Sequence, residues 1–176
     1  EESDWSSDVC SSDLVSCFAM TEPQGGADPG VFKTRAVREG DNWVISGQKW
    51  FASHARYAEF LIVMAVTDPD APVMQRMSMF IVPANAPGLE IMHDYGFATE
   101  KEPNHGHLNF DKVRVPLDSM LGKEGDAFVV AQVRLGGGRI HHAMRTIGEA
   151  RKAFDMLCER AVSRKTARSS SIARGM

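Results

Sequence analysis

The sequence predicts an α+β chain, with a small β-barrel or a sandwich of similar size first and helices after it. Three observations predict this. Over residues 31–115 apolar and polar side chains alternate mostly with period two, as in strands that bury one face. Turn clusters divide that stretch at short intervals: Asp68-Pro69-Asp70-Ala71-Pro72, Ala86-Pro87-Gly88 and Glu102-Pro103-Asn104. Beyond Pro116 the period changes. Ile140, Met144, Ile147, Phe154, Leu157 and Ala161 recur at spacings of three, four and seven, which is one face of a helix. The expected division is a β domain over residues 15–118 and the opening of a helical bundle over residues 119–176.

The elements follow in order. Trp43-Val44-Ile45-Ser46 leads through Gly47 into Lys49-Trp50-Phe51-Ala52-Ser53. Residues 59–67 form an unbroken apolar run, as expected of a strand buried on both faces. Residues 77–84, 89–93 and 107–115 are further strand candidates, and Met74, Met77 and Met79 read as core filler. Asp126, after Gly125, suits a helix N-cap. Gly136, Gly137 and Gly138 each cost a helix about 1 kcal/mol against alanine. They are therefore predicted to interrupt or bend it, with a second stretch running from Arg139 to about Lys165. One apolar stripe cannot complete a bundle, so its partners are expected outside this chain or in another subunit.

Composition excludes several classes of function. A net charge of -3 on 176 residues does not favour nucleic acid as the main partner. No apolar run approaches the roughly 20 residues of a membrane-spanning helix, and no basic-then-apolar leader opens the chain. Cys10, Cys17 and Cys158 are isolated, without the paired spacing of zinc or redox sites, which suits a cytoplasmic location. Residues 1–14 have no helix or strand period. Residues 3–14 fit one reading frame of a common DNA-sequencing adapter, so this segment is expected to be an artefact and disordered. Without its five carboxylates the net charge becomes +2, so the acidity is no functional clue. Arg168-Ser169-Ser170-Ser171 breaks the helical pattern abruptly, as a truncated or frameshifted fragment would.

Two segments carry candidate chemistry. Thr21-Glu22-Pro23-Gln24-Gly25-Gly26-Ala27-Asp28 is a loop of small residues whose backbone can approach a planar ligand closely. In residues 49–53, adjacent aromatics on a strand should point to opposite faces, with Phe51 and Ser53 sharing one. A stacking ring beside a hydroxyl suits a flavin; the plain alternative is two core aromatics and a surface serine. Neither His141-His142 nor His105 with His107 has Cys or carboxylate partners at metal-binding spacing, so no metal is expected.

Four segments, in order, resemble the acyl-CoA dehydrogenase family: Cys17-Phe18-Ala19-Met20-Thr21-Glu22-Pro23, residues 47–53, Phe110-Asp111-Lys112-Val113-Arg114-Val115-Pro116, and Gly138-Arg139-Ile140-His141-His142. The resemblance covers residues 16–166 and is greatest to the branch that animals fuse to phosphotransferase-like domains. It implies the family's β-barrel middle domain followed by the first helices of its C-terminal bundle. It also implies FAD as cofactor, an acyl-CoA substrate of fatty acid β-oxidation, an electron-transferring flavoprotein as electron acceptor, and a homodimer or homotetramer. Met20 and Thr21 match positions that bind the flavin ring. Phe51 matches the aromatic lying against the isoalloxazine, and Ser53 the hydroxyl that reaches flavin N5. By the same resemblance Trp50 faces into the barrel or covers the cofactor's edge, Glu22 is structural, and Arg164 and Thr166 reach the FAD of a neighbouring subunit.

The departures from the family pattern bear on function. Ala27 stands where many members have a serine that touches the acyl-CoA, which removes one hydrogen bond to substrate. Arg139 matches a substrate-side arginine. Ala167 and Arg168 replace the family's Phe-Gly. The base that removes the α-proton lies, in most members, beyond this chain's end; in a minority it precedes the arginine matched by Arg139, and here that position is Gly138. No catalytic residue is therefore expected within the chain. Two rivals are a flavin-dependent monooxygenase or oxidase of the same fold, marked by rapid reoxidation in air, and a non-catalytic ligand-binding barrel, marked by the lack of a flavin spectrum.

Overall fold

A computed structural model of the chain describes residues 14–26, 28–96 and 102–165. The expectations placed on residues 1–13, Ala27, Thr166, Ala167 and Arg168 lie outside the described residues. The chain divides into two compact units, Glu1–Val130 and Ala131–Met176.

The first unit is a curled sheet of seven strands: β1 (Ser16–Ala19), β2 (Arg35–Glu39), β3 (Asn42–Ser53), β4 (Phe60–Val66), β5 (Met77–Pro83), β6 (Leu89–Tyr95) and β7 (His105–Pro116). β4 pairs with β5 on one side. On the other it pairs in parallel with β1, and then with β2 through Arg35 and Val66. The path continues through β2, β3 and β7 to β6. β5 and β6 are the two ends and do not pair, so the expected barrel is a half-barrel.

Alternation explains the core. Inward side chains of β3, β4, β5 and β7, including Ile45, Leu61, Val63, Phe80, Val82, Leu108 and Phe110, are essentially fully buried. Trp43 packs its ring against Phe80 at 5.4 Å. β4 has buried neighbours on both of its faces, as its unbroken apolar run predicts. Met77 and Met79 are core residues, but Met74 is 51% exposed in the turn before β5 and fills nothing. β1 and β2 are not distinct in the sequence; β1 has four residues and β2 buries only Ala36.

Gly47 is placed by a close approach. Its φ is 142°, and a Cβ there would lie 2.6 Å from the Thr34 backbone. That proximity lets the Thr34 hydroxyl donate to the Gln48 carbonyl at 3.0 Å, tying the loop after residue 32 to the middle of β3.

The helix α1 spans Ala127–Ser163. Asp126 holds the N-cap position: its backbone carbonyl accepts the Val130 N–H at 3.0 Å, while its carboxylate accepts the Lys123 N–H at 3.3 Å. Of the two expected effects of Gly136, Gly137 and Gly138, interruption does not occur: the helix is continuous through them, one helix where two stretches are expected. A few kcal/mol of propensity does not outweigh the hydrogen bonds of an otherwise favourable 37-residue segment. Within the second unit the expected apolar stripe is present, and Ile140, Met144, Ile147, Phe154 and Leu157 are each more than 60% exposed. No helix among the described residues is long and apolar enough to cross a membrane.

Candidate functional site

The site is built on an irregularity in β3. Lys49 pairs with Leu108 of β7 and Ala52 with Gly106, so three steps along β3 match two along β7. One extra residue on one strand is a β-bulge, and it breaks the period-two rule. Phe51 takes φ 53°, a left-handed value uncommon for a bulky side chain. Trp50 and Phe51 are therefore not on opposite faces. Their rings stack at 4.9 Å and 12°, with Phe51 44% exposed. Neither ring enters the core; the inward positions flanking them are Lys49 and Ala52, both fully buried. Tyr95 of β6 lies against both rings, at 5.7 Å from Trp50 and 6.0 Å from Phe51. His107 flanks Trp50 at 5.9 Å. The result is an aromatic platform on the outside of the sheet.

A buried ion pair fastens the Thr21 loop to this bulge. The Lys49 ammonium, wholly buried, donates to the Glu22 carboxylate at 2.9 Å and to the Met20 carbonyl at 2.8 Å. The Glu22 carboxylate, 2% exposed, also accepts the backbone N–H groups of Lys33 at 2.6 Å and Thr34 at 3.0 Å, and the Gln24 side-chain amide at 2.6 Å. The Trp50 N–H donates to the Thr21 carbonyl at 2.8 Å. Lys49 also lies 4.8 Å from the centre of the Phe32 ring. Residues 20–22 are thus held against residues 49–50 by both backbone and side chain. A structural Glu22 agrees with this arrangement, since every lone pair of its carboxylate that the fold reaches is engaged by a donor.

The pair makes stability depend on pH. Burial pushes the Lys49 ammonium down from 10.5 to about 8, with Glu22 partly restoring it. Burial raises the Glu22 pKa, but the Lys49 charge and the hydrogen bonds from Lys33, Lys49 and Thr34 outweigh it, leaving the net value below 4.5. For Glu22 the folded state holds its proton less tightly than the unfolded chain. Its stabilisation is therefore complete above pH 4.5 and lost as pH falls through the lower folded value. For Lys49 the folded state also binds fewer protons, so this group makes stability rise with pH between about 8 and 10.5. Urea midpoints at pH 7 and 9.5 are expected to rise more in the wild type than in Lys49→Met. Equal changes in the two proteins would refute the assignment.

Ser53 ends β3 opposite His105 of β7, and its hydroxyl lies 2.8 Å from His105 Nδ1. The Thr21 side chain is half-buried and has no hydrogen-bond partner among the described residues. The Trp50 indole Nε1 is buried and likewise unpartnered. An exposed ring, a free hydroxyl and an unsatisfied indole donor on one clamped segment fit a flat heteroaromatic group with acceptors at its edge. The expected flavin segments Met20, Thr21, Trp50, Phe51 and Ser53 are thus drawn into one neighbourhood. Arg139 and Arg164 lie in the second unit, both exposed; Arg139 donates to Gln132 at 2.6 Å. His107 faces Gln48 at 3.2 Å, and no cluster of metal-ligating side chains occurs among the described residues. Sequence reading missed His105 as a partner of Ser53, Tyr95 as part of the platform, and the burial of Lys49. A charged residue between glycine and two aromatics was the available signal for the last.

The first unit is a curled half-barrel sheet, and a long helix follows it in the chain, the architecture of a β domain succeeded by a helical one. The sequence model of the acyl-CoA dehydrogenase middle domain matches residues 17–113, more than half of the chain. FadE2 of Mycobacterium tuberculosis, named a probable acyl-CoA dehydrogenase, is 37% identical over 93% of this chain and 41% of its own length. Acyl-CoA dehydrogenase family member 11 of Gallus gallus is 37% identical over 94% of this chain and 22% of its own. A solved structure from Mycobacterium abscessus, assigned as an acyl-CoA dehydrogenase, is 38% identical with a TM-score of 0.76, covering 92% of this chain and 40% of that one. The chain belongs to the acyl-CoA dehydrogenase family. It spans between 22% and 41% of the length of these relatives.

Proposed function

We propose that the protein containing this chain is an FAD-dependent acyl-CoA dehydrogenase that converts an acyl-CoA to the trans-2-enoyl-CoA. The observation that carries this reading is the bulged aromatic pair Trp50 and Phe51, clamped beside Thr21 by Lys49 and Glu22, in a chain of this family. FAD, when bound, would accept the β-hydride of the acyl thioester. Phe51 and Trp50 supply a rigid wall for its ring, because the bulge and the ion pair fix both side chains before any ligand arrives. Met20 and Thr21 offer backbone and hydroxyl at the ring's edge. Ser53 places a hydroxyl where charge develops during reduction, the position at which an oriented hydrogen bond lowers a barrier most.

The remaining parts of the reading extend beyond this unit. Arg164 and Thr166 serve the cofactor of a neighbouring subunit in a homodimer or homotetramer, with Arg164 pairing a phosphate. Arg139 and Ala27 match substrate-side positions of the family and are assigned to acyl-CoA binding. The β domain is assigned to residues 15–118 and the helical one to residues 119–176. Electrons pass to an electron-transferring flavoprotein, and the protein works in cytoplasmic fatty acid β-oxidation. The base for the α-proton lies outside residues 1–176, since Gly138 occupies the alternative position for it.

The full-length protein is expected to be yellow as purified and to bleach anaerobically on addition of a saturated acyl-CoA, with the enoyl-CoA as product. Residues 1–176 alone should give no turnover. A colourless full-length protein that takes up no FAD sinks the proposal. Turnover by residues 1–176 sinks the placement of the base.

A further inference from the structure

We propose that His105 is a positioning residue that sets the direction of the Ser53 hydroxyl, and through it the redox balance of the bound flavin. The proposal rests on the flavin reading above and adds a residue to it. Its carrier is the 2.8 Å contact between Ser53 Oγ and His105 Nδ1, made by residues 52 apart in sequence and directly paired in register between β3 and β7. The fold places His105 with care. The residue before it, Asn104, accepts the His54 N–H at 2.7 Å and donates its own N–H to the Tyr95 carbonyl at 3.2 Å. His105 is in turn paired with Tyr95 of β6, so it joins the hydroxyl to the aromatic platform.

The chemistry follows from one shared hydrogen. A serine hydroxyl has one hydrogen to donate and two lone pairs to accept with. Flavin N5 is an acceptor when oxidised and carries N–H when reduced. If His105 Nδ1 accepts, the hydroxyl hydrogen is held by the imidazole and Oγ offers lone pairs, which suits reduced N5–H. If Nδ1–H donates, the hydroxyl hydrogen is free for N5, which suits the oxidised ring. In either tautomer the imidazole biases one redox state over the other. An isolated hydroxyl would simply rotate to follow its ligand. A purely structural cross-strand pair would contribute to stability alone.

The test uses the full-length holoprotein and three variants, His105→Phe, His105→Asn and Ser53→Ala, with FAD content and midpoint potential measured for each. Phenylalanine keeps a ring and removes the hydrogen bond. Asparagine keeps a hydrogen-bonding group near the Nδ1 position. His105→Phe is expected to change the oxidised-to-reduced ratio at fixed potential about tenfold, near 30 mV for a two-electron couple. His105→Asn should restore at least half of that change. In a Ser53→Ala background His105→Phe should have no further effect, because the hydroxyl through which it acts is gone. The sign of the shift reports which tautomer the protein holds. An unchanged potential in His105→Phe at full FAD content overturns the proposal, and so does an equal shift with Ser53 absent. Failure of the wild-type protein to bind FAD would instead defeat the underlying flavin reading. If His105→Phe does not fold, His105→Leu, which also removes the hydrogen bond, takes its place: its shift in potential, measured with Ser53 present and with Ser53→Ala, decides the same question.

Discussion

Lys49→Met is expected to lower the stability of the full-length protein by about 3–5 kcal/mol, the range seen when one partner of a buried ion pair is removed. The size follows from what is left behind. The Glu22 carboxylate is 2% exposed in the native fold, and without Lys49 its only donors among the described residues would be the N–H groups of Lys33 and Thr34 and the Gln24 amide. These are dipoles and cannot neutralise a charge. The Met20 carbonyl loses its donor as well. Methionine fills nearly the same volume, so the loss is electrostatic and not a packing defect. The depressed Lys49 pKa of about 8 shows that Glu22 does not fully offset the cost of burying the ammonium. The pair is therefore a weak source of net stability that is costly to break, and what it provides is position. Combining Lys49→Met with Glu22→Gln should recover a substantial part of the loss, with a coupling above about 1 kcal/mol. Denaturant midpoints with unchanged slopes measure this. A Lys49→Met midpoint within about 1 kcal/mol of wild type would mean that the pair does not hold the loop as described.

How much of this was legible in the sequence divides by range. β4 could be read from residues 59–67 because a continuous apolar run needs no partner to be recognised. The same holds for β5, β6 and β7, each bounded by turn residues. β2 was hidden because four of its five residues are solvent-facing and give no alternation. α1 reads locally as two stretches because three adjacent glycines look decisive, whereas the residues on either side keep the helix continuous. The site residues were legible as a segment, not as a geometry. The bulge at Phe51 leaves no mark in the sequence, since such positions usually announce themselves with glycine. Lys49 is among the residue types least often buried, and its partner Glu22 lies 27 positions away. Ser53 and His105 are 52 apart. Contacts at that range are set by strand register, which only the assembled sheet fixes.

The positive φ at Phe51 leads to a second large effect, one with opposite consequences for stability and binding. Phe51→Gly removes a left-handed backbone conformation that costs a bulky residue on the order of 1–3 kcal/mol. Against this stand the greater freedom of glycine in the unfolded chain and the lost stack on Trp50, each about 1 kcal/mol. The two sides nearly cancel, so the melting temperature should stay within a few degrees of wild type. Binding has no such compensation. Phe51 is the most exposed ring of the platform, at 44%, so its stability contribution is small and its ring is open to a ligand. Losing an aromatic stack on a flat ligand is worth roughly 1.4–2.7 kcal/mol, a 10–100-fold weaker FAD affinity. Strain kept in the fold at a residue that contributes little to the core is the pattern of a position shaped by a ligand. Isothermal titration of the apoprotein with FAD, beside thermal unfolding of the same samples, separates the two effects. A large loss of stability with unchanged FAD affinity would show that Phe51 serves the sheet and that the platform is not where the flavin lies.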